Sequence, residues 1–199
     1  MQGKPAAKAR LRDIAAELGI ELRRRWFVVS SAEGLVEGSQ VVARLDNRPQ
    51  GVGEGWVATY DSLHDRVRNR YGVIDDRSGW GVSVESQHRA LGAGVRILPT
   101  STPPGERDDR HLLLTGDDSF DAGIKVTTTN PDRARQLLDH ATRATIADFF
   151  DAGTWAIVED ERIRLTTDLP VRAAASQIRN AAIMSAVLSA RVAELDGGS

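Results

Sequence analysis

Three carboxylates crowd one short stretch of the chain, at Asp117, Asp118 and Asp121. Paired carboxylates hold a divalent cation or share a proton, so this stretch is the candidate site of a metal-assisted hydrolase. The same residue types also build turns, because Asx side chains accept backbone N–H bonds there. Phe120, set between the acids, would then anchor the turn in a core. The turn is the preferred reading, and no metal or cofactor is expected.

The other chemistry-bearing residues are scattered. His64, His88, His111 and His140 show no HxH or HExxH spacing. His64 sits between Asp61 and Asp65 and reads as a surface residue. No GxSxG, P-loop or Ser-x-x-Lys motif occurs, and Ser119 has no base assigned to it. Gly51, Gly53 and Gly55 lack the spacing and the following helix of a dinucleotide fingerprint, and read as a hairpin loop. Arg66, Arg68 and Arg70 alternate with Val67, Asn69 and Tyr71. If residues 61–73 form a strand, these arginines make one basic face, the best anion or nucleic-acid candidate in the chain. A short helix around Leu63 and Val67 fits the same residues. A solvated outer face is the preferred meaning, and no nucleic acid is expected. Arg23, Arg24 and Arg25 would alternate across a strand, which breaks up a single patch.

Composition sets the frame for these residues. The chain has 199 residues, 41% hydrophobic and 27% charged, which is ordinary for a globular protein. Cysteine is absent, which removes disulfides, thiol catalysis and thiolate metal sites. Aromatics are only 5%, so the core must rest on Val, Ile, Leu and Ala. The net charge of −2 gives no pull toward nucleic acid. Residues 1–100 hold 15 Lys and Arg against 12 Asp and Glu, and residues 101–199 hold 11 against 16. The expected location is cytoplasmic, because the first residues lack a signal-peptide apolar run and no stretch suits a membrane span.

The elements follow from periodicity. Ala7, Leu11, Ile14, Ala15 and Leu18 make the apolar face of a helix that Gly19 ends. Strands are expected over 20–30, 35–45, 56–60, 80–85 and 95–98. Residues 100–110, TSTPPGERDDR, read as an exposed loop. Ile124, Val126 and Thr128 alternate with Lys125, Thr127 and Thr129 as a half-buried strand. Asn130-Pro131-Asp132 then starts a helix: Asn caps, Pro fits the first position, and Asp suits the positive end. Its stripe is Ala134, Leu137, Leu138, Ala141 and Phe149. Ile146 and Phe150 drift off it, so the helix either breaks near Asp139-His140 or is buried on a second side. Residues 153–158 and 162–167 read as two strands, and Pro170 begins a last helix.

The run GDDSFDAGIKV, then NPDRARQLLD, a helix, a hairpin and a long helix resembles a pattern in an uncharacterised bacterial domain family. That pattern has a Gly-Asp-x-x-Phe-Asp turn, a strand and an Asp-Pro-type helix start, matched here by Gly116, Phe120, Asp121, Pro131 and Leu137. It covers about residues 112–195. The resemblance implies a fold and, for its members, frequent membrane tethering. It supplies no catalytic residue.

The whole reads as one α+β domain over 1–199, with a twisted, mostly antiparallel sheet packed against a central and a long C-terminal helix, and an N-terminal helix beside them. A sub-division would place a helix and strands in 1–99 and a strand-helix-hairpin-helix unit in 111–196. The expected function is a non-catalytic binding or assembly module. The alternatives are the metal-assisted hydrolase at 117–121 and a small-molecule pocket between sheet and long helix. On the last helix, Ala174, Ile178, Ala181, Ser185, Leu188, Val192 and Leu195 face the sheet. Ile183, Val187 and Ala190 fall opposite, among Arg172, Ser176, Asn180 and Glu194, and read as a patch for a homo-oligomer or another protein partner. Burial by the N-terminal helix is the competing explanation.

Overall fold

The computed structural model describes residues 4–25, 28–48, 79–100, 110–151, 156–166 and 171–197. The Gly51–Gly55 loop, the strand over 56–60, the 61–73 segment with Arg66, Arg68 and Arg70, and most of the 100–110 loop lie outside the described residues.

Helix α1 spans Lys4–Leu18 and buries Ala7, Leu11, Ile14 and Ala15, the predicted face. It ends in a Schellman motif. Gly19 takes φ +68°, its N–H donates to Ala16 O at 3.3 Å, and Ile20 N donates to Ala15 O at 3.0 Å. At the other end Lys4 Nζ sits 4.4 Å from the centre of the Trp80 ring, which fixes the first turn over the sheet.

Strands β1 (Glu21–Arg25), β2 (Val28–Val36), β3 (Ser39–Arg48) and β4 (Gly79–Gln87) follow. The expected strand over 35–45 is corrected here. Leu35 and Val36 close β2, and a two-residue turn separates them from β3. Glu37 (φ 48°) and Gly38 (φ 80°) both adopt the left-handed region, as a type I′ hairpin requires, with Val36 opposite Ser39. A glutamate at the first turn position hid the hairpin from sequence pattern.

Strands β5 (Arg96–Pro99) and β6 (His111–Leu113), the short helix α2 (Asp118–Gly123) and strand β7 (Ile124–Thr128) come next. Helices α3 (Pro131–Leu137) and α4 (His140–Asp151), strands β8 (Ala156–Glu159) and β9 (Arg162–Thr166), and helix α5 (Val171–Gly197) complete the order. The central helix therefore breaks where the stripe drifted. Leu138 leaves helical geometry (φ −88°, ψ 55°), and Asp139 caps the next helix, accepting from Thr142 N at 2.8 Å. The break turns α4 by enough to bury Ile146 and Phe149, while Ala141 is exposed, contrary to its place in the expected stripe.

Among the described residues the strands form one antiparallel sheet in the order β1-β2-β3-β4-β9-β8-β5-β7-β6. The β4–β9 ladder, Ser83 opposite Thr166 to Gln87 opposite Arg162, joins the N-terminal and C-terminal strands. The fold is α+β, with the helices gathered on one face. The core joins Ala32, Ala43, Val84, Leu165, Ala156, Ile97 and Val126 of the sheet to Leu11, Ile14, Ile146, Ile178 and Leu188 of the helices.

Helix α5 packs over β3, β4 and β9 and between α1 and the α3–α4 pair. Small residues allow a close seat: Ala174, Ala175, Ala181, Ala182 and Ser185 are all fully buried. The serines supply polar ties. Ser39 Oγ donates to Ala182 O at 2.8 Å, and Ser185 Oγ meets Ser86 Oγ at 2.9 Å. The buried side of α5 is wider than the expected stripe, taking in Met184 and Ala182 as well, because a helix lying between two others is covered on its flanks.

Candidate functional site

The acidic stretch is a turn-and-cap assembly. Gly116 turns the chain at φ 79°. Asp117 caps α2, with Oδ1 accepting from Phe120 N at 3.2 Å. Asp121 reaches back: Oδ2 accepts from Thr115 N at 3.0 Å and Gly116 N at 3.2 Å, and Oδ1 from Thr115 Oγ1 at 2.9 Å. Phe120 is buried against the core as expected. Arg143 Nε lies 3.4 Å from Asp117 Oδ2, an ion pair without an aligned hydrogen bond. The Phe120 amide, with help from Arg143, holds the Asp117 carboxyl below its ordinary range. Asp118 is exposed and points its chemistry at no neighbour in this set. Among the described residues no three His, Cys, Asp or Glu side chains converge as a metal group.

The histidines stay apart. His64 lies outside the described residues. His111 and His140 are exposed at the starts of β6 and α4. His88 is half-buried just past β4, with Nδ1 donating to Arg89 O at 2.9 Å. Burial pushes its pKa down, opposed by that carbonyl.

Sequence reasoning missed a carboxylate that does organise the fold. Asp160, in the β8–β9 turn, accepts from Gly92 N at 3.2 Å through Oδ2, and from Ala93 N at 3.1 Å and Val95 N at 3.3 Å through Oδ1. Its own carbonyl accepts from Leu91 N at 2.8 Å. The loop it clamps carries buried Leu91, Ala93 and Val95. That loop also needs Gly94: φ is +55°, and an added Cβ would stand 2.0 Å from Thr129 Oγ1. An acid in a Glu-Asp-Glu turn carries no local signal for partners so far upstream.

Among the described residues, the outward side of α5 carries the large exposed apolar side chain of the helical layer. Ile183 is 48% exposed, Ala190 is exposed and Val187 is half-buried. Both flanks are tied down. Arg179 Nη2 donates to Glu17 O of α1 at 2.9 Å, and Arg191 Nη2 donates to Gln136 O at 2.9 Å beside its ion pair with Asp139 at 3.1 Å. Helix α1 does pack on α5, yet it leaves Ile183 in solvent. Next to this ridge an open depression of about 390 Å³ lies between the β2–β3 turn and α5, lined by Gly38, Gln40, His88 and Arg89 with Ala186 and Ser189. Further exposed leucines lie on β6 and just past it, Leu112 at 61% and Leu114 at 67%, and at the end of β2, Leu35 at 71%.

Among the described residues no helix is long and apolar enough to cross a membrane. No family model matches the chain, and no curated protein matches it. Among solved structures the chain is similar to the crystal structure of the mycobacterial trehalose monomycolate transport factor A, TtfA. The TM-score is 0.53, over 95% of this chain and 96% of that one, at 12% sequence identity. At that identity the likeness is one of fold: the arrangement of a long sheet under a helical layer has a solved counterpart of nearly the same extent.

Proposed function

We propose that this chain is a non-catalytic binding or assembly module, and that it engages a protein through the outward ridge of α5. The observation that carries this reading is the exposed group Ile183, Val187 and Ala190 on a helix otherwise seated by its ties to α1, α3 and α4. An apolar centre inside a polar border is the anatomy of a contact surface. Of the three carboxylates that suggested a hydrolase, Asp117 and Asp121 accept from backbone N–H groups and Asp118 is exposed, which supports the reading from the other side. The solved neighbour agrees in kind, being named as a transport factor rather than for a reaction. Placement of residues 112–195 in the bacterial domain family with the Gly-Asp-x-x-Phe-Asp turn belongs to the same proposal.

A photo-crosslinking residue at position 183, compared with one at exposed Asp132, tests this in cells. Protein adducts at 183 that are absent at 132, and that Val187→Glu removes, are the expected result. Equal labelling at both positions would overturn the reading. A second reading, a small polar ligand in the depression beside His88 and Arg89, rests on its position between sheet and long helix. It predicts that a ligand co-purifying with the chain is lost in Ser189→Trp.

A further inference from the structure

We infer that the partner of the α5 ridge is a second copy of this chain, packed antiparallel about a two-fold axis through Ile183. This deepens the proposal above and rests on it. At about 100° per residue, the positions within roughly 40° of Ile183 on the helix surface are Arg172, Ser176, Arg179, Val187, Ala190, Glu194 and the terminal Gly197. Their order along the axis has opposite charges toward its ends. Arg172 lies eleven residues before Ile183 and Glu194 eleven residues after, each about 16 Å away along the helix. Both are exposed. Turning one copy by a half-rotation about Ile183 sets Arg172 of each chain against Glu194 of the other. It sets Ser176 against Ala190, small against small, Arg179, which is held toward Glu17 O of its own chain, against Val187, and Ile183 against Ile183.

A parallel pairing in register would instead oppose Arg172 to Arg172 and Glu194 to Glu194. The charges therefore select the antiparallel form, which is isologous and closes on itself. Glu194 does meet Arg191 of its own chain at 3.1 Å, but it remains 68% exposed and keeps a free side for a second cation. Arg191 has Asp139 and Gln136 O as its own anchors. The small side chains at 176, 186 and 190 allow the two helix backbones to approach, so that Ile183, on the axis, is covered. The ridge runs about 33 Å from 172 to 194, long enough for a helix–helix contact of several turns.

The experiment uses the full chain, whose lack of cysteine leaves any introduced thiol alone. Sedimentation at rising concentration should show a monomer–dimer equilibrium. Arg172→Glu and Glu194→Arg, each at an exposed position, should each weaken it by roughly tenfold. The double variant should return to within about twofold of the parent. These positions are too far apart on one helix to rescue each other within a chain. Mild oxidation of Ile183→Cys should give a covalent dimer, whereas Ala190→Cys should not, because the two copies of residue 190 then lie about 20 Å apart along the axis. The inference is overturned if the double variant is as weak as the singles, or if Ala190→Cys crosslinks as readily as Ile183→Cys. It is also overturned if the chain stays monomeric and Ile183→Cys fails to crosslink. In that last case, adducts at position 183 to a different protein in cells would leave the binding reading standing and remove only the second copy as its partner.

Discussion

Asp160→Ala should be far more damaging than a typical change of a charged residue in a surface turn. The structure gives the reason. Oδ1 accepts from two amides that solvent cannot reach, since Ala93 is 0% and Val95 1% exposed. Oδ2 serves Gly92, which is exposed and finds water once the carboxylate is gone. A buried donor left without an acceptor costs about 1–3 kcal/mol. Two such donors, partly relieved by loop movement, place the loss at about 3 kcal/mol. For a chain of this length that is a drop in Tm of about 6–12 °C. Asp160→Asn keeps an oxygen for Ala93 and Val95, but it loses the charge and replaces the acceptor of the exposed Gly92 N–H with an amide NH2, so it should cost about 1 kcal/mol. The neighbouring exposed Glu161→Ala serves as the control and should stay within about 0.5 kcal/mol of the parent. Thermal and urea unfolding followed by far-UV circular dichroism give all three. A melt of Asp160→Ala within a degree or so of the parent, or a larger loss in Glu161→Ala, would refute the clamp.

The acidic turn gives a contrasting pair: Phe120→Ala should cost about 3–5 kcal/mol in urea unfolding as a buried aromatic, while Asp118→Asn leaves the melt unchanged. If instead divalent cation raised the melting temperature and Asp117→Asn with Asp118→Asn abolished that response, the hydrolase reading would move to the front. Asp117 and Asp139 both titrate below their ordinary range, held mainly by the Phe120 and Thr142 amides respectively. A depressed folded-state pKa gives stability that is present above about 4 and lost as pH falls through the folded value, so acid unfolding should flatten in Asp117→Asn with Asp139→Asn. His88 works in the same direction at a higher pH: the unfolded chain takes up its proton near 6.5 while the buried ring resists, so stability should fall as pH drops below that point, and the fall should be smaller in His88→Gln.

Much of the helical layer was legible because its signals are local. The face of α1, its glycine stop, the Asn-Pro-Asp start of α3 and the sheet-facing stripe of α5 each follow from residue spacing and caps, and each appears as expected. The break at Leu138 was legible as a drift in the stripe, though periodicity left a second explanation open. The β2–β3 turn was not legible, since Glu37 is an uncommon residue at φ 48° and the flanking valines read on without interruption. Pairing was beyond reach as well. Strand β4 pairs with β9 and β5 with β8 and β7, and alternation within a strand says nothing about which strand lies beside it. The site followed the same division. The turn at 117–121 and the ridge at 183–190 are made of near neighbours in sequence. The Asp160 clamp joins residues 65 to 68 positions apart and became visible only with the fold.

The face of the sheet away from the helices bears on where a partner binds. Between β1 and β9 it is laced with ion pairs: Arg23 with Glu33, Arg44 with Glu85, Arg162 with Glu85 and Glu159, and Arg164 with Glu159. Charge of this kind discourages both sheet stacking and edge growth, and β1 itself carries exposed Glu21, Arg23 and Arg24. Among the described residues the opposite edge puts Leu112 and Leu114 in solvent. Strand β6 is only three residues long, however, so a strand added beside it would gain few backbone bonds, and shortness is itself a defence of an edge. The α5 ridge has the opposite balance. It is long and regular, it is held between helices on both flanks, and its large exposed apolar side chain, Ile183, sits midway between a cation and an anion. A rigid surface loses little conformational entropy on contact, so for equal apolar area the proposed helix ridge would bind a partner more strongly than the β6 edge.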